Sequence, residues 1–138
     1  MVTTVQRLPH PVRCDAAVVL VIDAANVIGS RPTGWWRDRA GAARDFTERV
    51  RAAVTDGRLD APVIIVLEGR SREGADETVA HGVEVVHAPD EGDDTIARLA
   101  GRHRGAVVVT ADRDLAERVR AVGAEVVGPS WLLDRVSP

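Results

Sequence analysis

The sequence predicts an α/β domain built on a five-stranded parallel sheet, and three observations carry that prediction. Five short apolar runs recur, at 17–22, Val63–Leu67, 83–86, 106–110 and Glu125–Val127. They are rich in valine and mostly continuous rather than alternating, as strands covered on both faces are. Stretches with helical spacing lie between several of them, and such alternation gives a parallel sheet with right-handed crossovers. With 138 residues, 45% of them apolar, the chain can bury one sizeable core.

Taken in order, residues 1–15, with Pro9 and Pro11, read as an N-terminal arm, and 16–138 as the domain. The first strand runs into Asp23 and Asn26, then a loop, "VIGSRPTGWWRDR". From 38 to 54 the apolar positions Ala43, Phe46, Val50 and Val54 follow helical spacing. The segment 71–80 is a weak helix candidate, because Gly74 and dense charge interrupt it. Residues 93–100 place Ile96, Ala97 and Ala100 on one face, and 113–122 do the same with Leu115, Val119 and Val122. A last helix is predicted from Ser130 as N-cap, after Pro129, burying Trp131, Leu132 and Val136.

Composition narrows the chemistry. All 18 basic residues are arginine, so a phosphate-loop lysine, a Schiff-base lysine and the lysine of phosphoacceptor receiver domains are all excluded. Genomic base composition explains the arginine bias itself. The net charge of −3 argues against a surface coated for nucleic acid, while leaving room for a basic rim around an acidic centre. A single Cys14 forms no internal disulfide, no apolar stretch has membrane-helix length, and the N-terminus lacks an apolar signal core. A cytoplasmic protein with no membrane partner is the expectation.

In an open parallel sheet, ligands bind beyond the carboxyl ends of the strands. The first strand delivers Asp23 and Asn26 there, and the second Glu68, Arg70 and Arg72. The third delivers His87, Asp90, Glu91, Asp93 and Asp94, and the fourth Thr110, Asp112 and Asp114. Acids therefore gather on one edge. The basic "GRHRG" at 101–105 precedes the fourth strand and reads as a solvated turn on the opposite edge.

Each acid also has a structural interpretation. Asp112 can cap the helix it precedes, with Asp114 in the first turn, and Asp93 and Asp94 can do the same for theirs. Asp23 precedes no clear helix start and extends a run of large aliphatics, so its charge needs a partner or a metal. Asp93 shares the inward face of its helix with Ile96 and Ala97, whereas Asp94 lies nearer Arg98 at i+4 and can pair with it. Converging carboxylates must either hold protons or bind a cation. An all-oxygen set with no cysteine suits Mg²⁺ or Mn²⁺ rather than Zn²⁺. His87 reads as a polar strand terminus and stays outside the metal set.

The order "VIDAANVIG", "GDDTIA", "TADRDL" resembles the NYN domain family of the PIN-like nuclease superfamily, over roughly 18–133. The resemblance implies a three-layer fold with sheet order 3-2-1-4-5, setting the first and fourth strands side by side. It also implies a ribonuclease that uses Mg²⁺ or Mn²⁺ to hydrolyse RNA phosphodiester bonds. Carried over by motif, Asp23 is the first acid, Asn26 the motif amide, Asp93 the helix acid and Asp112 the acid after the fourth strand. Asp114 matches a further acid found in many members. The expected catalytic residues are thus Asp23, Asp93, Asp112 and Asp114, with Asp23, Asp93, Asp112 and Asp94 as metal ligands.

RNA is the expected partner, held at the rim by Asn26, Arg31, Arg37 and Arg70, with Arg39 and Arg72 nearby and Trp35 stacking on an unpaired base. The rival use of Trp35 and Trp36 is to pin their loop onto the sheet. A homodimer stays open, and no protein inhibitor is implied. The competing function is a PIN-like module that binds RNA or protein without efficient cutting; Ala24, where the family usually keeps glycine, favours it. A phosphatase or nucleotide-binding domain ranks last, for want of a glycine-rich phosphate loop.

Overall fold

A computed structural model describes residues 18–137, so the expected arm at 1–15 lies outside the described residues. The chain runs β1 (Leu20–Asp23), α1 (Ala24–Gly29), α2 (Arg39–Thr55), β2 (Val63–Leu67), β3 (Val79–Ala80), β4 (Val83–His87), α3 (Gly92–Arg102), β5 (Val107–Val109), α4 (Arg113–Ala121), β6 (Glu125–Val127) and α5 (Pro129–Val136). Short 3-10 turns at Trp35–Arg37 and Gly69–Gly74 fill two of the connections.

The strands form one sheet in the order β3-β4-β2-β1-β5-β6. Every pairing is parallel except β3 with β4. The five long-range parallel strands therefore lie in the expected order, and the expectation of five strands is corrected to six in a mixed sheet. The extra strand arises from a hairpin. His81 (φ 52°) and Gly82 (φ 82°) both adopt left-handed backbone and fold Val79–Ala80 back onto β4. Two successive positive φ values suit the twist of a two-residue hairpin loop.

Parallel strands buried on both faces explain the continuous apolar runs. Ile22, Ile65, Leu67 and Val85 point into one core with Val27 of α1, Phe46 and Val50 of α2 and Leu132 of α5. Val21, Ile64, Val66 and Val108 point into the other, with Ile96 and Leu99 of α3 and Leu115 and Val119 of α4. Helices α1, α2 and α5 thus cover one face, and α3 and α4 the other, making three layers. The segment after β2 is not an α-helix. It is a 3-10 turn whose Gly74 lies so close to α2 that any side chain there would collide with the Ala40 carbonyl. The last helix starts two residues earlier than expected: Gly128 is its N-cap and Pro129 its first residue, so Ser130 caps nothing. Proline suits that first position because it has no N–H to leave unpaired. Leu132 and Val136 are buried as expected, while half-buried Trp131 carries the Arg135 guanidinium 3.9 Å from its ring centre. No helix among the described residues is long and apolar enough to cross a membrane.

Candidate active site

Strand β1 lies between β2 and β5. The helices after β1 pack on one face and the helix after β5 on the other, so the chain parts at the carboxyl ends of these two strands. Such a parting leaves the crevice in which open α/β sheets bind ligands. Asp23 closes β1 inside it, at 5% exposure.

Contrary to the expectation of no helix start, Asp23 is also the N-cap of α1, facing the Asn26 N–H at 3.4 Å through Oδ1. Its Oδ2 accepts the buried Thr110 hydroxyl at 2.9 Å. Thr110 Oγ1 in turn accepts the Asp112 N–H at 3.1 Å. One aliphatic strand end, one threonine and one backbone amide therefore tie Asp23 to Asp112. Asn26 adds a second tie, its side-chain oxygen accepting the Ala111 N–H at 2.8 Å. The Asn26 side chain thus fastens the loop after β5, and only its backbone N–H faces the Asp23 carboxylate.

Burial pushes the Asp23 pKa up to about 6, against the pull of the Thr110 and Asn26 hydrogen bonds and with the charges of Glu68 and Asp93 adding to the rise. Asp93 is also held above the ordinary carboxylate range, by burial first and then by Asp112 and Glu91. Glu68 is raised by burial as well, opposed by the Gly92 N–H and by Arg39, with Asp93 and Glu91 adding to the rise. Asp23, Glu68, Asp93 and Asp112 thus form one electrostatically linked edge. Glu68 and Thr110 had been noted only as strand-end residues; a single polar residue at a strand end carries no spacing signal.

Asp94 and Asp114, also expected at the site, are both exposed. Asp94 is turned to the surface and pairs with Arg118 of α4 at 3.0 Å, not with Arg98. Asp114 is exposed in the first turn of α4. Asp112 caps that helix, its Oδ1 accepting the N–H groups of Asp114 at 2.9 Å and Leu115 at 3.1 Å. His87 is tied down, Nε2 donating to the Ala75 carbonyl at 2.7 Å and its backbone N–H to Glu77 at 2.8 Å.

The rim divides by residue. Trp35 is half-buried, its ring in van der Waals reach of a Cβ placed on Gly29 and with the Arg39 guanidinium 5.5 Å from its centre. Trp36 stands edge-on to it at 5.9 Å and is 51% exposed, with Arg37 at 5.8 Å. Pinning falls to Trp35, and the free aromatic surface to Trp36. A groove of about 970 Å³ between this loop, α2 and α5 takes Arg31 into its wall but none of the four linked acids. A smaller cleft of about 160 Å³ joins Trp35 and Arg39 to Glu68. Arg70 is exposed, whereas Arg72 donates to the carbonyls of Gly69 and Ala88.

These residues suit a hard divalent cation in donor chemistry. Mutually repelling carboxylates with raised pKa values are relieved by a bound cation. Among the described residues, no three potential ligands are gathered closely enough to enclose one.

The model of DUF188, described as an uncharacterized BCR of the YaiI/YqxD family, matches residues 42–131, from within α2 to the first turn of α5. The chain belongs to the YaiI/YqxD family. The matched stretch contains Glu68, Asp93 and Asp112, while Asp23 and Asn26 precede it. No curated protein matches this YaiI/YqxD-family chain. Among solved structures, it is similar to Rae1 (YacP) from Bacillus subtilis, as the W164L mutant, with a TM-score of 0.66 and 23% identity over 87% of this chain and 75% of that one. A second structure of Rae1 (YacP) from Bacillus subtilis gives 0.66 and 21% identity over 87% and 74%. At such identities the likeness establishes a shared fold.

Proposed function

We propose that this YaiI/YqxD-family chain is a cytoplasmic ribonuclease of NYN, PIN-like type, hydrolysing RNA phosphodiester bonds with Mg²⁺ or Mn²⁺. The observation that carries the reading is Asp23, nearly sequestered at the end of the central strand, held near pKa 6 and linked electrostatically to Glu68 and Asp93. A purely structural acid has little reason to be kept so unstable in its charged form. The order of the three acidic motifs and the fold shared with Rae1 support the same assignment.

In this reading Asp23 and Asp112 are the principal cation ligands and Asp93 completes the site directly or through water. A divalent cation, when bound, supplies neutralisation of the phosphate charge and a lowered pKa for the attacking water. Thr110 and Asn26 hold Asp23 and the Asp112 loop at fixed separation, as preorganised catalysis requires. Asp114, next to Asp112 in the first turn of α4, is available to orient water or hold a second cation, whereas Asp94 is engaged by Arg118. Arg31, Arg37 and Arg70 meet RNA phosphates, and the exposed Trp36 offers a stacking surface for an unpaired base.

The test is cleavage of single-stranded RNA with Mn²⁺ or Mg²⁺ by the wild type, Asp23→Asn and Asp112→Asn. The proposal expects cleavage by the wild type alone and none in excess EDTA. Activity that survives both substitutions, or EDTA, removes it. A second reading, a module that binds RNA without cutting, draws on the open spacing of the acids; RNA binding with no cleavage in any metal selects it.

A further inference from the structure

Helix α3 carries Asp93 in its first turn, yet it begins without a side-chain cap of its own: Glu91, in the N-cap position, makes no capping hydrogen bond. Four N–H groups open every helix, and a buried opening needs an acceptor from elsewhere. Gly92, the first residue of α3, is buried. The carboxylate nearest to it is that of Glu68, which follows β2. A Cβ placed on Gly92 would meet Glu68 Oε1 at 3.2 Å, tighter than a relaxed contact. The Gly92 N–H favours the ionised form of the same carboxylate, opposing the effect of burial. Glycine at 92 thus leaves space for Glu68 to close on the helix start.

On its other side, Glu68 lines the cleft with Trp35 and Arg39, and the Arg39 charge stabilises its ionised form. Glu68 therefore stands between the tryptophan loop and the first turn of α3. Asp93 follows Gly92 directly, so any slip of this turn moves Asp93 relative to Asp23.

We infer that Glu68 is a positioning residue, which caps α3 across the sheet edge and thereby sets Asp93 against Asp23. The inference rests on the ribonuclease reading for its catalytic consequence and on the fold alone for its structural one. A carboxylate that merely added to the cation site would act through its charge; one that caps α3 acts through an oxygen acceptor, which glutamine retains.

The experiment compares Glu68→Gln and Glu68→Ala with the wild type in two measurements. Hydrogen exchange at the Gly92 amide reads the cap: Glu68→Ala speeds it about tenfold or more relative to amides in the interior of α3, and Glu68→Gln restores most of the protection. RNA cleavage reads the consequence: Glu68→Ala lowers kcat about tenfold with KM for RNA little changed, and Glu68→Gln stays within about threefold of wild type. Unchanged Gly92 exchange in Glu68→Ala overturns the inference, and so does a loss in Glu68→Gln equal to that in Glu68→Ala. Should the wild type cut no RNA, the ribonuclease reading fails, while the exchange measurement still decides the cap.

Discussion

The Thr110 hydroxyl donates to Asp23 Oδ2 at 2.9 Å, joining the ends of two neighbouring strands across 87 residues of sequence. The bond fixes a carboxylate that burial disfavours, and it binds the crevice into one unit with Asp112. Stability and activity should therefore respond oppositely to change at Asp23.

The pH dependence of stability follows from that carboxylate. Its pKa rises from an ordinary 3.8 in the unfolded chain to about 6 in the folded one. Between these values the folded state holds more protons, so stability falls as pH rises through the interval and stays lower above it. The full effect is up to about 3 kcal/mol. Urea unfolding in EDTA should show the metal-free protein more stable at pH 4.5 than at pH 7.5 by a measurable part of this, after the other carboxylates are controlled for with Asp23→Asn. An identical pH profile in that variant would rule out the assignment.

Cation binding should reverse the penalty. At pH 7.5, Mg²⁺ or Mn²⁺ at a hundred times its Kd should stabilise the wild type by about 2.7 kcal/mol and raise Tm, since the folded state alone presents the site. The rise should shrink at pH 5, where Asp23 is protonated, and be much smaller in Asp23→Asn. Equal Tm shifts in both proteins would place the cation elsewhere.

Asp112 serves two purposes that substitution can separate. Its Oδ1 caps α4 through two N–H groups, so Asp112→Ala should cost about 1 kcal/mol in chemical denaturation. Asp112→Asn keeps a capping oxygen and should cost little. Both should lose at least about a hundredfold in RNA cleavage, because neither retains the charge. Cleavage that tracks helix stability instead would reduce Asp112 to a cap.

The two tryptophans should divide in the same way. Trp35→Ala removes a ring packed on Gly29 and under Arg39, and should destabilise by about 2 kcal/mol or more. Trp36→Ala should leave stability within about 0.5 kcal/mol and raise KM for single-stranded RNA several-fold. Equal behaviour of the two in denaturation and in KM would show no division of labour.

What the sequence disclosed follows from physical reach. Asp23 stood out because it ended an unbroken aliphatic run, the parallel sheet followed from strand–helix alternation, and the order of its strands was implied by the family resemblance alone. Helix α1 was hidden because "AANVIG" is only six residues long, too short for helical periodicity to show. Strand β3 has two exposed residues, too few for any periodicity, although His81–Gly82 held the turn signal. Thr110 and Glu68 were visible as strand-end residues but not as members of the site, since their partners become neighbours only in the folded sheet. Asp94 shows the converse: local spacing pointed to Arg98, while the packing of α3 on α4 brings Arg118 to it instead.

The most direct measurement sets cleavage against stability in one protein pair. Wild type and Asp23→Asn are compared at pH 7.5, by RNA cleavage in Mn²⁺ and by urea unfolding in EDTA. A catalytic Asp23 makes the variant inactive yet more stable by about 1–3 kcal/mol, because the buried charge is gone. A variant that is less stable and cuts RNA as well as the wild type would contradict both the site and the function built on it.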